Sequence, residues 1–339
     1  MRRSVSFLLK VVVPVLLVAA AASAAWLYTQ LETPYYGASE GETLVRIPRG
    51  MDTGRIAGLL AESGILRNRI PFVAYMRWTG DAGRVRAGEY RFTEPASPRQ
   101  IARRLVSGDV FFRAVTIPEG LTAMETVGLL ARNGFGDRLA MESALGKTEW
   151  ISDLAPEARN LEGYLFPETY HFDRKADSER ILRTMVDQFR KKFGAILSDT
   201  PPPAGWTPSR AVILASMIEK EAQKEQERPL ISSVYHNRLR IRMPLGCDAT
   251  IIYALKLGGT WNGNIRKSDL SIDSPYNTYR NTGLPPGPIA NPGAGSLRAA
   301  LNPSDTEYLF YVSRNDGTHV FSKNYRDHQN AVNTYQRLR

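Results

Sequence analysis

Two glutamates, Glu219 and Glu221, interrupt an otherwise apolar run that follows Thr207. A side-chain oxygen followed by proline commonly begins a helix, so the run predicts a helix buried on more than one side. Helical geometry places Glu219 over Val212 and Ala215. A carboxyl group over small apolar neighbours loses solvation, which favours its protonated form and suits a general acid.

The same two glutamates have an ordinary structural explanation, in which they pair with basic groups nearby in the sequence. The candidate partners are Lys220, Lys224 and Arg228. Glu221 points nearly opposite to Glu219 on the helix, and periodicity does not decide which of the two would be catalytic. Both explanations stay open at this level.

The composition limits the classes of protein and of site. The 339 residues are 43% hydrophobic, which is enough for two domains or one large one. Cys247 is the only cysteine and the four histidines are scattered, so we expect no disulfide, no metal and no cofactor. A net charge of +10 suits an anionic polymer or a membrane surface, but the arginines are dispersed and do not predict a nucleic-acid interface.

Residues 1–30 predict a cytoplasmic tip and a membrane anchor. The apolar stretch Phe7–Tyr28 is just long enough to span a hydrocarbon core of about 30 Å. Arg2 and Lys10 lie at its start, so this end should stay in the cytoplasm and the rest of the chain should lie outside. The alternative is a signal peptide cleaved near the small residues 22–24.

Residues 31–113 predict a small α+β module. A polar spacer over 32–45 leads into a strand, and the order of elements is then strand, helix, helix, strand, helix. The turn Ile-Pro-Arg-Gly at 47–50 has a counterpart, Ile-Pro-Glu-Gly at 117–120, and each is followed by a helix that ends at a glycine. This similarity predicts one strand-turn-helix unit used twice.

Residues 114–339 predict a larger mixed α/β domain, which makes the whole chain α+β. The domain is largely helical from 123 to 195, with an interruption at 161–170 that is rich in aromatic residues and carries two acids. This segment is either a packed loop or one wall of a sugar-binding cleft. The proline- and glycine-rich loop at 283–292 is either functional or a surface connection, and the residues flanking Asp316 predict a β-hairpin.

Several short motifs occur in a fixed order. They are Met217-Ile218-Glu219-Lys220-Glu221-Ala222, Asn237-Arg238-Leu239, Asp248 with Thr250, Tyr276-Asn277-Thr278-Tyr279 and the loop at 283–292. This ordered set resembles the YceG-like endolytic murein transglycosylases, over nearly the whole chain. The resemblance implies that 31–113 is a LysM-like module and that 114–339 is a catalytic domain with its catalytic glutamate on a buried helix.

The resemblance also implies site residues and a reaction. The family's catalytic glutamate falls on Glu219, which decides between it and Glu221. The candidates for positioning the sugar or Glu219 are Tyr276, Asn277, Tyr279, Asn237 and Asp248. The implied reaction cleaves MurNAc–GlcNAc bonds in nascent glycan strands and leaves 1,6-anhydroMurNAc ends without using water, which would terminate strand elongation.

The resemblance implies a cellular setting as well. The expected partners are peptidoglycan glycan strands and penicillin-binding proteins or other cell-wall synthases. The expected place is the cell inner membrane, crossed once, with the catalytic domain on the periplasmic side. Cys247 and Ala249 depart from the family pattern, which bears on substrate contacts and leaves the catalytic glutamate untouched.

Other functions remain open at the level of the residues. A lysozyme-like muramidase would need a second carboxylate, for which Asp248 and Glu162 are candidates, and it would leave reducing ends. A non-enzymatic cell-wall-binding scaffold would not depend on the charge of Glu219. A cytosolic pyridoxal-phosphate lyase is disfavoured by the export segment.

Overall fold

A long apolar helix, α1 (Arg2–Glu32), begins the chain. The computed structural model describes residues 2–37, 41–173 and 176–336, and within α1 the segment Val11–Glu32 is long and apolar enough to cross a membrane. The 31 residues of the helix extend for about 46 Å, more than the roughly 30 Å of a hydrocarbon core. The predicted anchor is therefore a helix of sufficient length.

The chain divides into two compact units, Met1–Arg113 and Ala114–Arg339. After α1, the first unit contains β1 (Thr43–Ile47), α2 (Thr53–Glu62), α3 (Arg69–Trp78), β2 (Gly88–Phe92) and α4 (Pro98–Ser107). β1 and β2 pair antiparallel with Val45 opposite Tyr90, and both side chains enter a core that also contains Phe72. This order of strands and helices is the one that the sequence predicts.

The residues directly after α1 pack onto the first unit. Glu32 forms an ion pair with Arg99 at 2.8 Å. Tyr35 and Ala96 exchange backbone hydrogen bonds of 3.2 and 3.4 Å. The part of the predicted polar spacer before residue 38 is therefore ordered by an ion pair and backbone hydrogen bonds; residues 38–40 of the predicted spacer lie outside the described residues.

The second unit is mostly helical. Its helices are α5 (Ala123–Arg132), α6 (Arg138–Ala144), α7 (Ser178–Asp199), α8 (Pro208–Glu221), α9 (Arg228–Arg240), α10 (Asp248–Leu257), α11 (Ala294–Leu301) and α12 (Tyr325–Gln336). Its strand pairs are β3 (Arg113–Thr116) with β4 (Thr169–Phe172) and β5 (Phe310–Ser313) with β6 (His319–Ser322). The β5–β6 pair confirms the predicted hairpin, whereas β4 is a strand that the predicted helical stretch does not include.

Helix α8 is buried within the second unit. All residues from 211 to 218 are buried, and α9, α10 and α11 pack against the helix. Burial of a Val, Leu, Ile or Met side chain contributes about 1.5–3 kcal/mol, so this packing strongly constrains the helix. The last turn of α8, which carries Glu219, is therefore fixed by the core.

The predicted internal repeat is present as two matching units. β1 leads through a turn into α2, and β3 leads through a turn into α5. The turn glycines, Gly50 and Gly120, have φ values of 76° and 77°. Asp52 caps α2 and Thr122 caps α5, each by accepting a backbone hydrogen bond from the third residue of its helix.

Candidate active site

Glu219 lies in the last turn of α8. The helix begins where the Thr207 side chain accepts a hydrogen bond from the Arg210 N–H, with Pro208 as its first residue. It ends where Ala222 takes an extended conformation. The Glu219 side chain is 6% exposed. A carboxyl group is thus held at the end of a buried helix with little access to water.

Two donors contact the Glu219 carboxylate. The Gly293 N–H donates to Oε2 at 2.9 Å, and Nη2 of Arg228 lies 3.5 Å from Oε1. Gly293 is the N-cap residue of α11, so the positive end of that helix faces the carboxylate. Arg228 is thus a partner of Glu219, whereas Lys220 donates from Nζ to the carbonyl of Gly120 at 3.0 Å.

A second carboxyl group, that of Glu119, reaches the same guanidinium. Nη2 of Arg228 lies 3.4 Å from Glu119 Oε2. The Glu119 side chain is 46% exposed, so it occupies the open side of the cluster. Burial raises the pKa of Glu119, and the charge of Glu219 raises it further, against the opposing effect of Arg228. Two carboxyl groups and one guanidinium therefore form the charged centre of the site.

Glycines leave room for these charged groups. A methyl group at Gly293 would collide with the Glu119 carboxylate, and one at Gly295 would come within 2.7 Å of Arg228 Nη1. On the opposite wall, a methyl group at Gly120 would lie 3.6 Å from Cγ of Glu219. The backbone approaches both carboxyl groups closely because these positions carry no side chain.

Asn291, near the end of the proline- and glycine-rich loop, joins the walls of the site. Its Oδ1 accepts hydrogen bonds from the N–H groups of Gly163 and Leu165, both at 3.0 Å, and its Nδ2 donates to the Leu121 carbonyl at 3.0 Å. Its own carbonyl accepts from the Gly120 N–H at 3.0 Å. The loop is therefore fixed to the turn before α5 and to the aromatic-rich segment.

Glu162 lies on that aromatic-rich segment, most of which is buried as a packed loop. Its Oε1 accepts from the N–H of Ala123, the first residue of α5, at 2.9 Å, and its Oε2 accepts from the Tyr253 hydroxyl at 3.2 Å. Burial raises the pKa of Glu162 to about 8. Within the described ranges Glu162 has no hydrogen bond or ion pair to Glu219 or Arg228, so its contacts are those of a helix cap.

Glu221 faces a separate polar cluster. It accepts hydrogen bonds from Cys247 Sγ at 3.2 Å and from the Tyr311 hydroxyl at 3.1 Å. The Tyr311 and Tyr235 hydroxyls are also hydrogen-bonded, at 2.8 Å. Burial raises the pKa of Glu221, against the lowering effect of its hydrogen bonds. The two glutamates of α8 therefore have different partners, in agreement with their opposite directions on the helix.

The side chains of two of the predicted sugar-positioning residues donate hydrogen bonds to backbone carbonyl groups. Asn277 is buried, and its Nδ2 donates to the carbonyls of Leu270 and Ile272 at 3.1 and 2.9 Å. Asn237 Nδ2 donates to the carbonyl of Thr306 at 2.8 Å. These contacts order the adjoining loops, and a role of either residue toward the sugar stays a prediction.

The other three predicted residues present aromatic and acidic groups. Tyr279 is 39% exposed, and its hydroxyl donates to Asp248 Oδ1 at 2.5 Å. The ring of Tyr276 packs on that of Tyr253, with centroids 4.9 Å apart. In the part of the chain that the structure describes, no hydrogen bond joins any of the five predicted residues to Glu219. Their contacts with sugar stay predictions.

Comparison with known proteins decides the family. A model of the YceG-like family matches residues 45–334, which span most of both units. The chain belongs to the YceG-like family. The resemblance that the sequence motifs indicate is thereby confirmed.

Relatives of this YceG-like chain are named for one activity. The endolytic murein transglycosylase of Bacillus subtilis (strain 168) is 32% identical over 307 residues, which cover 86% of this chain and 84% of that protein. The endolytic murein transglycosylase of Streptococcus pneumoniae (strain ATCC BAA-255 / R6) is 30% identical over 320 residues, and the match covers 85% of this chain and 57% of that protein.

A solved structure is also similar. The 2.6 Å crystal structure of a yceG-like protein from Listeria monocytogenes has a TM-score of 0.56 and 30% sequence identity. The match covers 86% of this chain and 99% of the Listeria chain. With the helices and strands described above, it confirms a mixed α and β fold of the YceG-like type.

The sequence motifs do not mark Glu119 or Gly293 as site residues. In the sequence, Glu119 is recognisable only as part of the repeated Ile-Pro-x-Gly turn. A signal was present, because an acid stands where the first copy of the turn carries Arg49. Gly293 directly follows the 283–292 loop, and its position alone does not reveal that its N–H meets a carboxylate from another helix.

Proposed function

We propose that Glu219 is the catalytic acid and base of an endolytic murein transglycosylase. The observation that carries the proposal is the enclosed Glu219 carboxyl group, bound by the Gly293 N–H at 2.9 Å in a chain of the YceG-like family. The Bacillus subtilis and Streptococcus pneumoniae relatives are named for this activity. The substrate is the glycan strand of peptidoglycan.

The reaction uses one carboxyl group twice. Protonated Glu219 donates its proton to the glycosidic oxygen between MurNAc and GlcNAc, and the bond from that oxygen to C1 breaks through an oxocarbenium-like transition state. The Glu219 carboxylate then takes the proton of the C6 hydroxyl of the same MurNAc, and O6 bonds to C1. The products are a 1,6-anhydroMurNAc end and a free GlcNAc hydroxyl, with the proton back on Glu219.

The partners of Glu219 suit the intermediate stage of this reaction. Between the two proton transfers the group is a carboxylate, and the Gly293 N–H and Arg228 are positioned to stabilise it. The Glu219 side chain itself is only 6% exposed, which leaves little room for water at its carboxyl group and favours attack by the C6 hydroxyl of the bound sugar over hydrolysis.

The predicted sugar-positioning residues divide into two roles. Tyr276, Tyr279 and Asp248 are candidates for contacting the glycan, because Tyr279 is partly exposed and its hydroxyl is oriented by Asp248. Asn237 and Asn277 are candidates for ordering the loops that present those contacts, because both side chains bind backbone carbonyls.

The first unit supports a proposal for the cellular setting. α1 is a single-pass anchor in the cell inner membrane, with the basic N-terminus in the cytoplasm and the catalytic domain on the periplasmic side. Residues 31–113 form a LysM-like module, which is supported by the order of elements and the antiparallel β1–β2 pair. An enzyme held there meets nascent strands, so it terminates their elongation, and penicillin-binding proteins or other synthases are its partners.

Product analysis tests the catalytic assignment. The full chain in detergent is incubated with peptide-bearing glycan strands, and the strand ends are weighed by mass spectrometry, because anhydro ends are lighter than reducing ends by one water. Glu219→Gln is expected to lower anhydro-end formation by at least about 10³-fold, since both proton transfers are lost. Glu221→Gln is the matched control, and it keeps substantial activity because Glu221 binds Cys247 and Tyr311 instead.

Two results would overturn the assignment. Anhydro ends at the normal rate from a folded Glu219→Gln protein would remove Glu219 from the chemistry. Reducing ends from the wild-type chain would identify a muramidase, which requires water and a second carboxylate. Circular dichroism of both variants checks that the fold is intact.

A further inference from the structure

Arg228 is shared between two carboxyl groups. The same nitrogen, Nη2, lies 3.4 Å from Glu119 and 3.5 Å from Glu219. Neither distance is that of a short charge-assisted hydrogen bond, which is about 2.7–2.9 Å, and neither pairing uses two parallel bonds. One cation therefore serves two acids and fully neutralises neither of them.

We propose that Glu119 is a positioning residue for the reaction at Glu219: it competes for Arg228, so that Glu219 keeps its proton until the glycosidic oxygen takes it. The proposal rests on the catalytic role proposed for Glu219 above. It explains why the N-cap residue of α11 is a glycine, since a methyl group at Gly293 would displace the Glu119 carboxylate.

The charged groups around the pair are few in the described chain. Arg228 contacts both acids, and Nζ of Lys220 is bound to the carbonyl of Gly120 beside them. Glu225 acts on Glu119 through space. Like charges at one site oppose each other, and the charge of Glu219 raises the pKa of Glu119.

Proton transfer then changes the partner of Arg228. When Glu219 gives its proton to the glycosidic oxygen, it becomes a carboxylate, and Arg228 can approach it while Glu119 turns toward solvent on the open side. When the C6 hydroxyl returns a proton to Glu219, Arg228 pairs again with Glu119. The proton count is unchanged over the cycle, since one proton leaves Glu219 and one comes back.

The test is the pH dependence of anhydro-end formation by the full chain. A general acid loses activity as pH rises, because it must carry a proton. Glu119→Gln removes the competitor for Arg228. In this variant the fall in activity on the high-pH side of the pH–rate profile (the high-pH limb) is expected to occur about one pH unit lower than in the wild type. At pH values above that fall, its activity is then about tenfold lower. Glu119→Asp keeps the charge and is expected to restore most of the limb toward its wild-type position.

Two further variants sharpen the test. Arg228→Gln removes the shared cation and is expected to move the limb in the opposite direction, to higher pH. Glu179→Gln removes a half-exposed carboxylate that pairs with Lys147 instead, and it is expected to leave the pH profile unchanged. Circular dichroism confirms that each protein is folded.

An unchanged limb in Glu119→Gln would overturn the inference, and so would a uniform loss at every pH, because Glu119 would then act by some means other than its charge. Both outcomes are separate from failure of the proposed function. That function fails only if Glu219→Gln still forms anhydro ends or if the wild-type chain forms reducing ends.

Discussion

The two strand-turn-helix units have nearly the same backbone and different surroundings. Gly50 and Gly120 close their turns with almost equal φ values, and a capped helix follows each turn. A methyl group at Gly50 would meet no atom within 4 Å, whereas one at Gly120 would lie 3.6 Å from both Glu219 Cγ and Lys220 Nζ. The first turn faces open space, and the second lies against the charged centre of the site.

The difference comes from what packs against each unit. Around the second turn, Asn291 accepts the Gly120 N–H, and Gly293 brings the start of α11 to Glu219. The first turn carries Arg49, which is exposed. A local fold therefore supplies a shape, and the chemistry arises where distant parts of the chain meet it.

The largest expected effect is on the rate of glycan cleavage, and it comes from changing Gly293 at the start of α11. Gly293→Ala should lower anhydro-end formation at high pH by about tenfold, as Glu119→Gln does, because the methyl group takes the place of the Glu119 carboxylate, a flexible and half-exposed group that can move aside. The φ of −78° at Gly293 is ordinary for alanine, so backbone strain is not the cause. The measurement is the initial rate from product mass spectrometry.

Gly194→Ala is the matched control for that substitution. Gly194 lies within α7, and a methyl group there would meet no atom within 4 Å. Alanine is expected to leave the rate unchanged and to stabilise the protein by up to about 1 kcal/mol, the usual helix preference of alanine over glycine. Equal rate losses in both alanine variants would contradict the importance of Gly293.

The second difference between the units is the buried acid that caps α5. Below its ordinary pKa Glu162 is protonated in both folded and unfolded chains, so its stabilising effect is fully present; it is lost as pH rises toward about 8. The free energy of unfolding of the second unit should therefore decrease between pH 5 and 8, by at most about 1.4 kcal/mol per pH unit. Urea unfolding followed by fluorescence measures this.

Glu162→Gln should flatten that pH dependence, because the amide carbonyl still accepts from Ala123 and carries no charge to bury. Glu179→Gln, a change of the same charge on a half-exposed side chain, is expected to retain the wild-type slope. A slope that is the same in Glu162→Gln and in the wild type would show that Glu162 does not cause it.

The smallest expected effect is at the glycine that both strand-turn-helix repeats have in their turn. Gly50→Ala and Gly120→Ala should each destabilise their own unit by about 1–2 kcal/mol, because both glycines have a positive φ that alanine rarely adopts. Only Gly120→Ala is expected to slow glycan cleavage, by less than about tenfold, since its methyl group would touch Glu219. Thermal unfolding and rate measurements on both variants test this, and a rate loss in Gly50→Ala would break the comparison.

The parts of the fold that depend on neighbouring residues were predictable from the sequence. The apolar run after Thr207 predicted α8, and the turn at Asp316 predicted the β5–β6 hairpin. The short strand β4 was not predicted, because its partner β3 lies more than 50 residues earlier and local periodicity carries no signal of that pairing.

The candidate site divides in the same way. Glu219 could be proposed from the sequence, because two glutamates stand out in the apolar helix and the ordered family motifs favour this one over Glu221. Glu119 and Gly293 were not, because each acts through contact with a residue more than 70 positions away. Asn237 and Asn277 show the reverse case, in which a motif residue binds backbone carbonyls that the motif does not contain.

For a membrane-spanning α1, the junction with the first unit limits how that unit can move. Because Glu32 and Tyr35 are bound to Arg99 and Ala96, the anchor and the unit turn together. A domain on a flexible linker can move away from the membrane in all directions, whereas a unit rigidly joined to its membrane helix stays at a fixed distance from the bilayer and moves only within its plane. With α1 in a bilayer as proposed, the first unit would meet glycan strands by lateral diffusion, and a tilt of the helix would tilt that unit as well.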